Sequence, residues 1–347
     1  MKNIYGLKRS DLEEYFLSIG EKKFKALQAY EWLYLKRVDS IDKMTNIKKE
    51  IQDKLKTDFS MEMIKVAQVQ HDTDAHKYLF LLKDHNYIEA VLMEHDYGLS
   101  VCVSSEVGCN MGCKFCESGR RKKVRNLEAY EMVEQILLIE KDIGKRISSI
   151  VVMGIGEPFD NYVNLMDFIR IINDPKGISI GARHITVSTC GLVPKIYEFS
   201  KEDLQVNLAL SLHAPNDEIR NQIMPINKAY NISEVIKAIK DYIKETNRRV
   251  TIEYVMLEGV NDSKECAVEL SKLLKGLNVY VNMIPYNETN HLEFSQSNKK
   301  KIDEFYDTLV KNKINVTVRR RFGSNIDAAC GQLRSKEEEK NENILFN

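Results

Sequence analysis

The chain lacks a net charge. Its 51 lysines and arginines balance 51 aspartates and glutamates, so composition alone makes no case for a nucleic-acid partner. Any RNA site must be a local basic patch. Long apolar runs are also missing. The longest are of the size of ILLI at 136–139, far short of the ~20 residues a bilayer-spanning helix needs. No apolar segment opens the N-terminus, so no secretory signal is read. There is no G-x-G-x-x-G turn for a dinucleotide, and no internal repeat. An even, dispersed cysteine set is missing as well. Seven cysteines, three of them clustered, suit metal or redox chemistry in a reducing cytoplasm better than a disulfide framework.

What is present is enough chain for two domains, or for one large α/β domain with an appendage. The 347 residues are 43% apolar and can bury a sizeable core. Residues 1–60 read as a helical accessory domain. Ser10 to Glu13 has capping-box spacing, and Phe24, Leu27, Tyr30, Leu33 and Tyr34 recur near helical period. The lysines around that stripe, Lys22, Lys23, Lys25 and Lys36, together with Arg37, form either a solvated face or a grip on RNA phosphates. Residues 61–97 read as a small antiparallel sheet with turns at Asp72 and Asp84. Over 98–334 strands and helices alternate. Strands are predicted at 99–105, 147–154, 184–190, 206–212, 250–257, 279–285 and 315–321. Helices are predicted at 127–143, 162–173, 193–200, 231–246, 264–275 and 297–312. This rhythm means parallel βαβ units, as a barrel or an open sheet. The tail, 335–347, is rich in Glu, Lys and Asn and reads as disordered.

Cys109, Cys113 and Cys116, inside VCVSSEVGCNMGCKFC, are spaced C-x3-C-x2-C. Three thiolates this close can face one metal centre, and soft sulfur selects iron–sulfur clusters, zinc or cuprous copper. An ordinary 4Fe–4S site takes four cysteines, so three leave one iron open to a small molecule. The other reading is a structural zinc site closed by Cys102 or a distant histidine. Polar residues gather where the rhythm ends its strands: Gly154, Gly156 and Glu157, then Ser188, then Ser211 and His213, then Asn287. Barrel active sites lie on that rim. Any one of these residues has a turn or packing explanation; a converging set is harder to explain so. Read unaided, Cys102 is a buried strand cysteine and Glu89 a solvated strand glutamate. Cys330, in IDAACGQL, is open to either a structural or a chemical role. Two basic runs, Arg120 to Arg125 and Arg319 to Arg321, fall near the same rim and suit either phosphates or a solvated face.

The cysteine spacing resembles the radical S-adenosylmethionine (SAM) superfamily. The chain as a whole resembles its RlmN/Cfr branch, adenine methyltransferases of large-subunit ribosomal RNA. The matching segments run in family order: EWLYLKR (31–37), IEAVLM (88–93), CVSSEVGC (102–109), MGIGEPFDN (153–161), ARHITVSTCG (182–191), LSLHAPND (210–217), MPIN (224–227), GVNDS (259–263), IPYN (284–287) and IDAACGQL (326–333).

The resemblance implies a partial (β/α)6 TIM-like radical SAM barrel with one 4Fe–4S cluster on Cys109, Cys113 and Cys116. It implies a SAM site at Gly156, Glu157, Ser188, Ser211, Leu212, His213 and Asn287, the Gly156-Glu157 segment taking the amino group. By the same resemblance, two SAM molecules would be used per turnover, the first methylating Cys330 and the second yielding a 5′-deoxyadenosyl radical that takes hydrogen from methylated Cys330, whose carbon adds to adenine. Glu89 is implied as proton acceptor, and a Cys102–Cys330 disulfide releases the base. Carbon 2 of adenine is electron-poor and has no lone pair, which a radical route circumvents. The implied partners are 23S rRNA, a tRNA adenosine beside the anticodon and a reductant such as flavodoxin, with no membrane and a monomer in the cytoplasm. Cys190 and Cys266 match no catalytic position and read as structural. Two rivals stand. One is the Cfr-type carbon-8 methyltransferase, against which Pro158 in GIGEPF is the argument. The other is a non-catalytic zinc-containing RNA-binding protein. The chain departs from the family in its basic RRKK run after Gly119 and in the cysteine at 190.

Overall fold

The computed structural model describes residues 1–289, 291–320, 323 and 326. Ten strands form its main sheet: β1 (Lys65–His71), β2 (Ala75–Leu81), β3 (Tyr87–His95), β4 (Gly98–Cys102), β5 (Ser149–Val152), β6 (Ile185–Thr189), β7 (Asn207–Ser211), β8 (Val250–Met256), β9 (Val279–Pro285) and β10 (Val316–Val318). Their spatial order is their chain order. From β1 to β4 neighbours are antiparallel. From β4 to β10 they are parallel. The expected antiparallel linker is therefore the edge of the main sheet rather than a sheet apart.

Each strand from β4 to β9 is followed by a crossover helix: α4 (Ala129–Ile143), α5 (Tyr162–Asn173), α6 (Val193–Phe199), α8 (Ile232–Thr246), α9 (Lys264–Leu274) and α10 (Lys299–Lys311), with the short α7 (Asp217–Ile223) ahead of α8. A parallel sheet wound in chain order by right-handed crossovers puts its helices on one face. Period-2 residues on that face, such as Ile150 and Val152, Ile185 and Val187, and Leu208 and Leu210, join the helices in the main core. The opposite face turns inward. Among the described residues the sheet does not close, since β1 and β10 are its two edges.

Local signals set the helix ends. In α8, Asn231 accepts from the Glu234 amide and Glu234 answers with a bond from the Asn231 amide. Its stripe of Ile232, Val235, Ile236, Ile239 and Tyr242 is buried, and Asn247 closes it in the left-handed region. The α4 helix ends likewise at Gly144.

The N-terminal helices are α1 (Arg9–Ser18), α2 (Lys23–Tyr34) and α3 (Lys49–Asp58). The first starts earlier than the Ser10 capping box predicts. Lys8 is the cap, and its amide donates to Asp11 Oδ2 at 3.0 Å. Phe24 is 52% exposed, so it lies off the core stripe that Tyr30, Leu33 and Tyr34 do form. Its side chain sits in the first turn of α2, ahead of the stretch that packs on the barrel.

Candidate active site

The cysteine loop leaves the end of β4 and is pinned at its base. Glu106–Val107 pairs antiparallel with Arg125–Asn126, closing residues 106–126 into one excursion. Within it Cys109 N donates to Arg121 O at 3.0 Å and Cys116 N to Cys113 O at 3.2 Å. Gly108 and Gly112 take positive φ of 74° and 64° to make the turns.

The loop lies over a cleft of about 1050 Å³, measured to its open mouth. Cys109, Cys113 and Cys116 line it together with Gly156, Glu157, Ser188, Ser211, His213 and Asn287. Of the residues expected to hold SAM, only Leu212 lies elsewhere. It is fully buried in the main core, and its backbone carbonyl accepts from Arg220 Nε at 3.2 Å. It sets the turn between Ser211 and His213.

Burial first, then repulsion from Cys116, pushes the Cys109 thiol up to about 12. Cys113 is pushed well above the usual range by burial and then by the other two cysteines. Crowded thiols of this kind ionise only against a cationic centre, which is the environment an iron–sulfur cluster provides. No trio of His, Cys, Asp or Glu among the described residues converges on a single metal ion. A 4Fe–4S cube instead takes its cysteines on separate irons.

Glu157 is buried, and its carboxyl is raised by that burial. Its Oε2 accepts from Cys190 N at 2.8 Å and its Oε1 from Phe159 N at 3.1 Å, so both oxygens are fixed. Gly156 has φ 110°, and a Cβ there would lie 2.6 Å from the Glu106 side chain, so only glycine fits. Glu106 Oε2 in turn accepts from Glu157 N at 2.9 Å. Burial lifts Glu106 to about 7, against the pull of Lys123. His213 is buried beside Arg220, which together bring it down to about 3. Its Nδ1 accepts from Val255 N at 3.0 Å, so the neutral ring carries its proton on Nε2. Ser188 Oγ and Ser211 Oγ are 3.3 Å apart.

Cys102 and Glu89 do not line the cleft. They lie next to it on the inward face of β3 and β4. Cys102 clusters with Ala75, Val91, Met93 and Ile155, and Ile326 packs against that cluster. Met153 belongs to both the cluster and the cleft wall. Glu89 is buried rather than solvated, because strand alternation turns it inward, and Lys77 Nζ lies 3.4 Å from its Oε1. Cys330, Arg321 and the 335–347 tail lie outside the described residues. Cys190 is buried and also lines the cleft, while Cys266 is buried in the core.

Sequence reasoning missed several groups. Arg220 is fully buried and donates to Cys190 O at 2.6 Å and Asn227 Oδ1 at 2.9 Å. A lone arginine between the isoleucines of a short helix was its only signal. In the first basic run, Lys123 pairs with Glu106 and Asp160, both at 2.7 Å, and Arg125 with Asp84 and Glu131. Those two charges are spent inside the molecule, leaving Arg120 and Lys122 as the exposed members. Arg319 lines the cleft.

Residues 103–270 match the radical SAM superfamily, and residues 2–61 match the ribosomal RNA large subunit methyltransferase N-terminal domain. A protein of Enterococcus faecalis called a probable dual-specificity RNA methyltransferase RlmN is 54% identical over 348 residues, covering 98% of each chain. A Spiroplasma citri protein of the same description is 52% identical over 342 residues, covering 97% of this chain and 99% of its own. The crystal structure of a radical SAM methyltransferase from Sphaerobacter thermophilus superposes with TM-score 0.91 at 41% identity, covering 96% of this chain and 99% of that one. With 52–54% identity along nearly its whole length, the chain belongs to the RlmN family of radical SAM RNA methyltransferases.

Proposed function

We propose that this enzyme methylates carbon 2 of an adenosine in 23S rRNA and an adenosine beside the anticodon of a tRNA, with Cys330 carrying the methyl group. The observation that carries the reading is convergence. The three loop cysteines open on the same cleft as Glu157, Ser188, Ser211, His213 and Asn287, and Cys102 and Glu89 lie on the adjoining inner face. Curated relatives are called dual-specificity RNA methyltransferases, which supports two RNA substrates.

Cys109, Cys113 and Cys116 would hold the 4Fe–4S cluster, and the cleft beside them the SAM. When bound, these supply radical hydrogen abstraction and, from a first SAM used before it, the methyl group. The protein supplies the rest. The fixed Glu157 carboxyl and the Gly156 turn present acceptors for an ammonium. The Ser188 and Ser211 hydroxyls donate and accept, which suits a sugar, and His213 donates from Nε2. Asn287, half-buried at the mouth, offers an amide to a base edge. Cys330 takes up and delivers the methyl carbon, Glu89 accepts the proton that adenine carbon 2 gives up, and Cys102 closes a disulfide with Cys330 to free the product. Ile326 reaches the Cys102 cluster on the segment leading to Cys330, which supports that meeting. A reductant such as flavodoxin delivers the electron to the monomer. Residues 1–60 form the RNA-gripping module, with Lys22, Lys23 and Lys36 exposed on it. The antiparallel strands of 61–97 join it to the catalytic barrel of 98–334.

The test is anaerobic incubation of the reconstituted enzyme with unmodified 23S rRNA, SAM and reductant, then mass spectrometry of the digested nucleosides. Recovery of 2-methyladenosine is the expected result. Recovery of 8-methyladenosine would overturn the regiochemistry, and no methylated adenosine from an enzyme with an intact cluster would overturn the RNA substrate.

A further inference from the structure

We propose that Lys77 is a positioning residue for Glu89: it keeps the buried carboxylate ionised and aimed, so that Glu89 can act as the base. The inference rests on the reading of Glu89 given above. It starts from register. Lys77 on β2 stands opposite Val91 on β3, and Val91 stands opposite Cys102 on β4. The three form one row across the inward face. Glu89 is two residues from Val91 on that face, diagonal to both Lys77 and Cys102. Strand alternation thus brings a cation, a carboxylate and the resolving thiol to one inner wall, where Ile326 also packs. Ser104 Oγ donates to Glu89 O at 2.5 Å and accepts from Ile155 N at 3.0 Å, which ties this part of β3 to the cleft wall.

The pair is hard to explain as a stabilising device. Lys77 is 3% exposed and Glu89 1%. Burying two such charges costs several kcal/mol each, and well-packed apolar substitutes are commonly neutral or better. The outward neighbours Tyr78, Phe80, Ile88 and Ala90 show the same strands filled by apolar side chains.

The pair makes sense as chemistry. A carboxylate buried without a cation takes up a proton and ceases to be a base, whereas a nearby cation favours its charged form. At 3.4 Å the contact is looser than a tight charged hydrogen bond of about 2.7–2.9 Å, so Lys77 acts on the carboxylate as a nearby charge rather than through a short bond. In the proton transfer assigned to Glu89, once the methylene carbon carried by Cys330 has bonded to carbon 2, the bond that breaks is the adenine C2–H. Its electron pair stays with the adduct, and the proton goes to the Glu89 carboxylate. The pair then changes from neutral to singly positive. The ammonium makes the newly formed acid readier to give the proton back, which suits a group that takes a proton and returns one.

The experiment uses the full-length, cluster-loaded enzyme. It follows three readouts: methylation of Cys330 by intact mass, iron content, and release of methylated nucleoside. Lys77→Met is expected to slow release about 100-fold, the scale of general-base catalysis, while iron content and Cys330 methylation stay near wild type. Lys77→Arg keeps the charge and should recover most of the rate. The double variant Lys77→Met/Glu89→Gln should be no slower than Glu89→Gln alone, because Lys77 acts through Glu89. Release at the wild-type rate from Lys77→Met, with Glu89→Gln inactive, overturns the inference and leaves the base reading standing. Losses that multiply in the double variant, or an equal loss of Cys330 methylation, overturn it as well. An active Glu89→Gln overturns both. Where Lys77→Met does not fold, Lys77→Gln and Lys77→Arg are compared on the same readouts.

Discussion

Arg220 draws together chain segments that are far apart in sequence. Its guanidinium donates to Leu212 O, Cys190 O and Asn227 Oδ1, and so ties the ends of β6 and β7 to the loop after α7. Arg220→Met would leave these acceptors buried without a donor. The loss should be at least about 3 kcal/mol in chemical denaturation, at 1–3 kcal/mol per orphaned group. Affinity for SAM should fall with it, since Ser211 and His213 flank the turn that Arg220 holds. The spread of such residues explains what could be read from the sequence. The three cysteines were legible because their spacing is local and the loop needs no partner to define it. Gly156 and Glu157 were legible once the strand rhythm put them on the rim. Arg220 was not, because its partners are separate segments brought together only by the fold. Lys77 was not either, because which face of β2 it occupies depends on pairing with β3.

At the scale of elements, the antiparallel hairpin of β1 and β2 does more than extend the sheet. Its turn presents Asp74, whose Oδ1 accepts from Gly323 N at 3.2 Å and whose Oδ2 accepts from Arg320 Nη2 at 3.3 Å. The hairpin therefore docks the segment that leaves β10 toward Cys330, while Ile326 packs on the Cys102 cluster. Asp74→Ala removes two hydrogen bonds to a carboxylate, one of them from a cation. At about 1.5 kcal/mol or more for such a contact, productive placement of the segment should drop roughly tenfold. Nucleoside release should slow accordingly, while iron content, measured on the same preparation, stays unchanged because Asp74 is remote from the cysteine loop. Normal release from Asp74→Ala would mean that apolar packing at Ile326 suffices. Strand and helix assignments along β4 to β10 follow the periodicity closely, because each element carries its own caps and alternation. The docking role of the hairpin had no such signal: a turn aspartate ordinarily caps its own turn.

For the molecule as a whole, the question is how firmly the N-terminal helices are joined to the barrel. The two share one apolar core, and polar contacts cross the joint as well. Glu134 on α4 accepts from Asn3 Nδ2 at 3.2 Å and from Ile64 N at 2.8 Å. Arg37 pairs with Glu140, Lys8 with Asp167 at 2.5 Å, and Tyr30 Oη donates to Ile171 O at 3.3 Å. Glu134 is fully buried, and that burial raises it to about 8. Its unfolded value is near the ordinary 4.3, so the folded state holds the extra proton between these two values. The stability this proton contributes is fully present below about pH 4.3 and is lost as pH rises through about 8, with a slope of at most about 1.4 kcal/mol per pH unit. Glu134→Gln cannot titrate, and its amide leaves one of the two donors unmatched. It should be less stable than wild type at low pH. The gap should narrow steadily as pH rises toward 8 and stay constant beyond it, read as the difference in melting temperature across a pH series. Because the joint sits between the N-terminal helices and the barrel, wild type should also show one unfolding transition at pH 6. If the two parts separate at all, a second transition should emerge only above pH 8. A gap that does not change with pH would show that Glu134 is ionised throughout, held by its two donors despite burial.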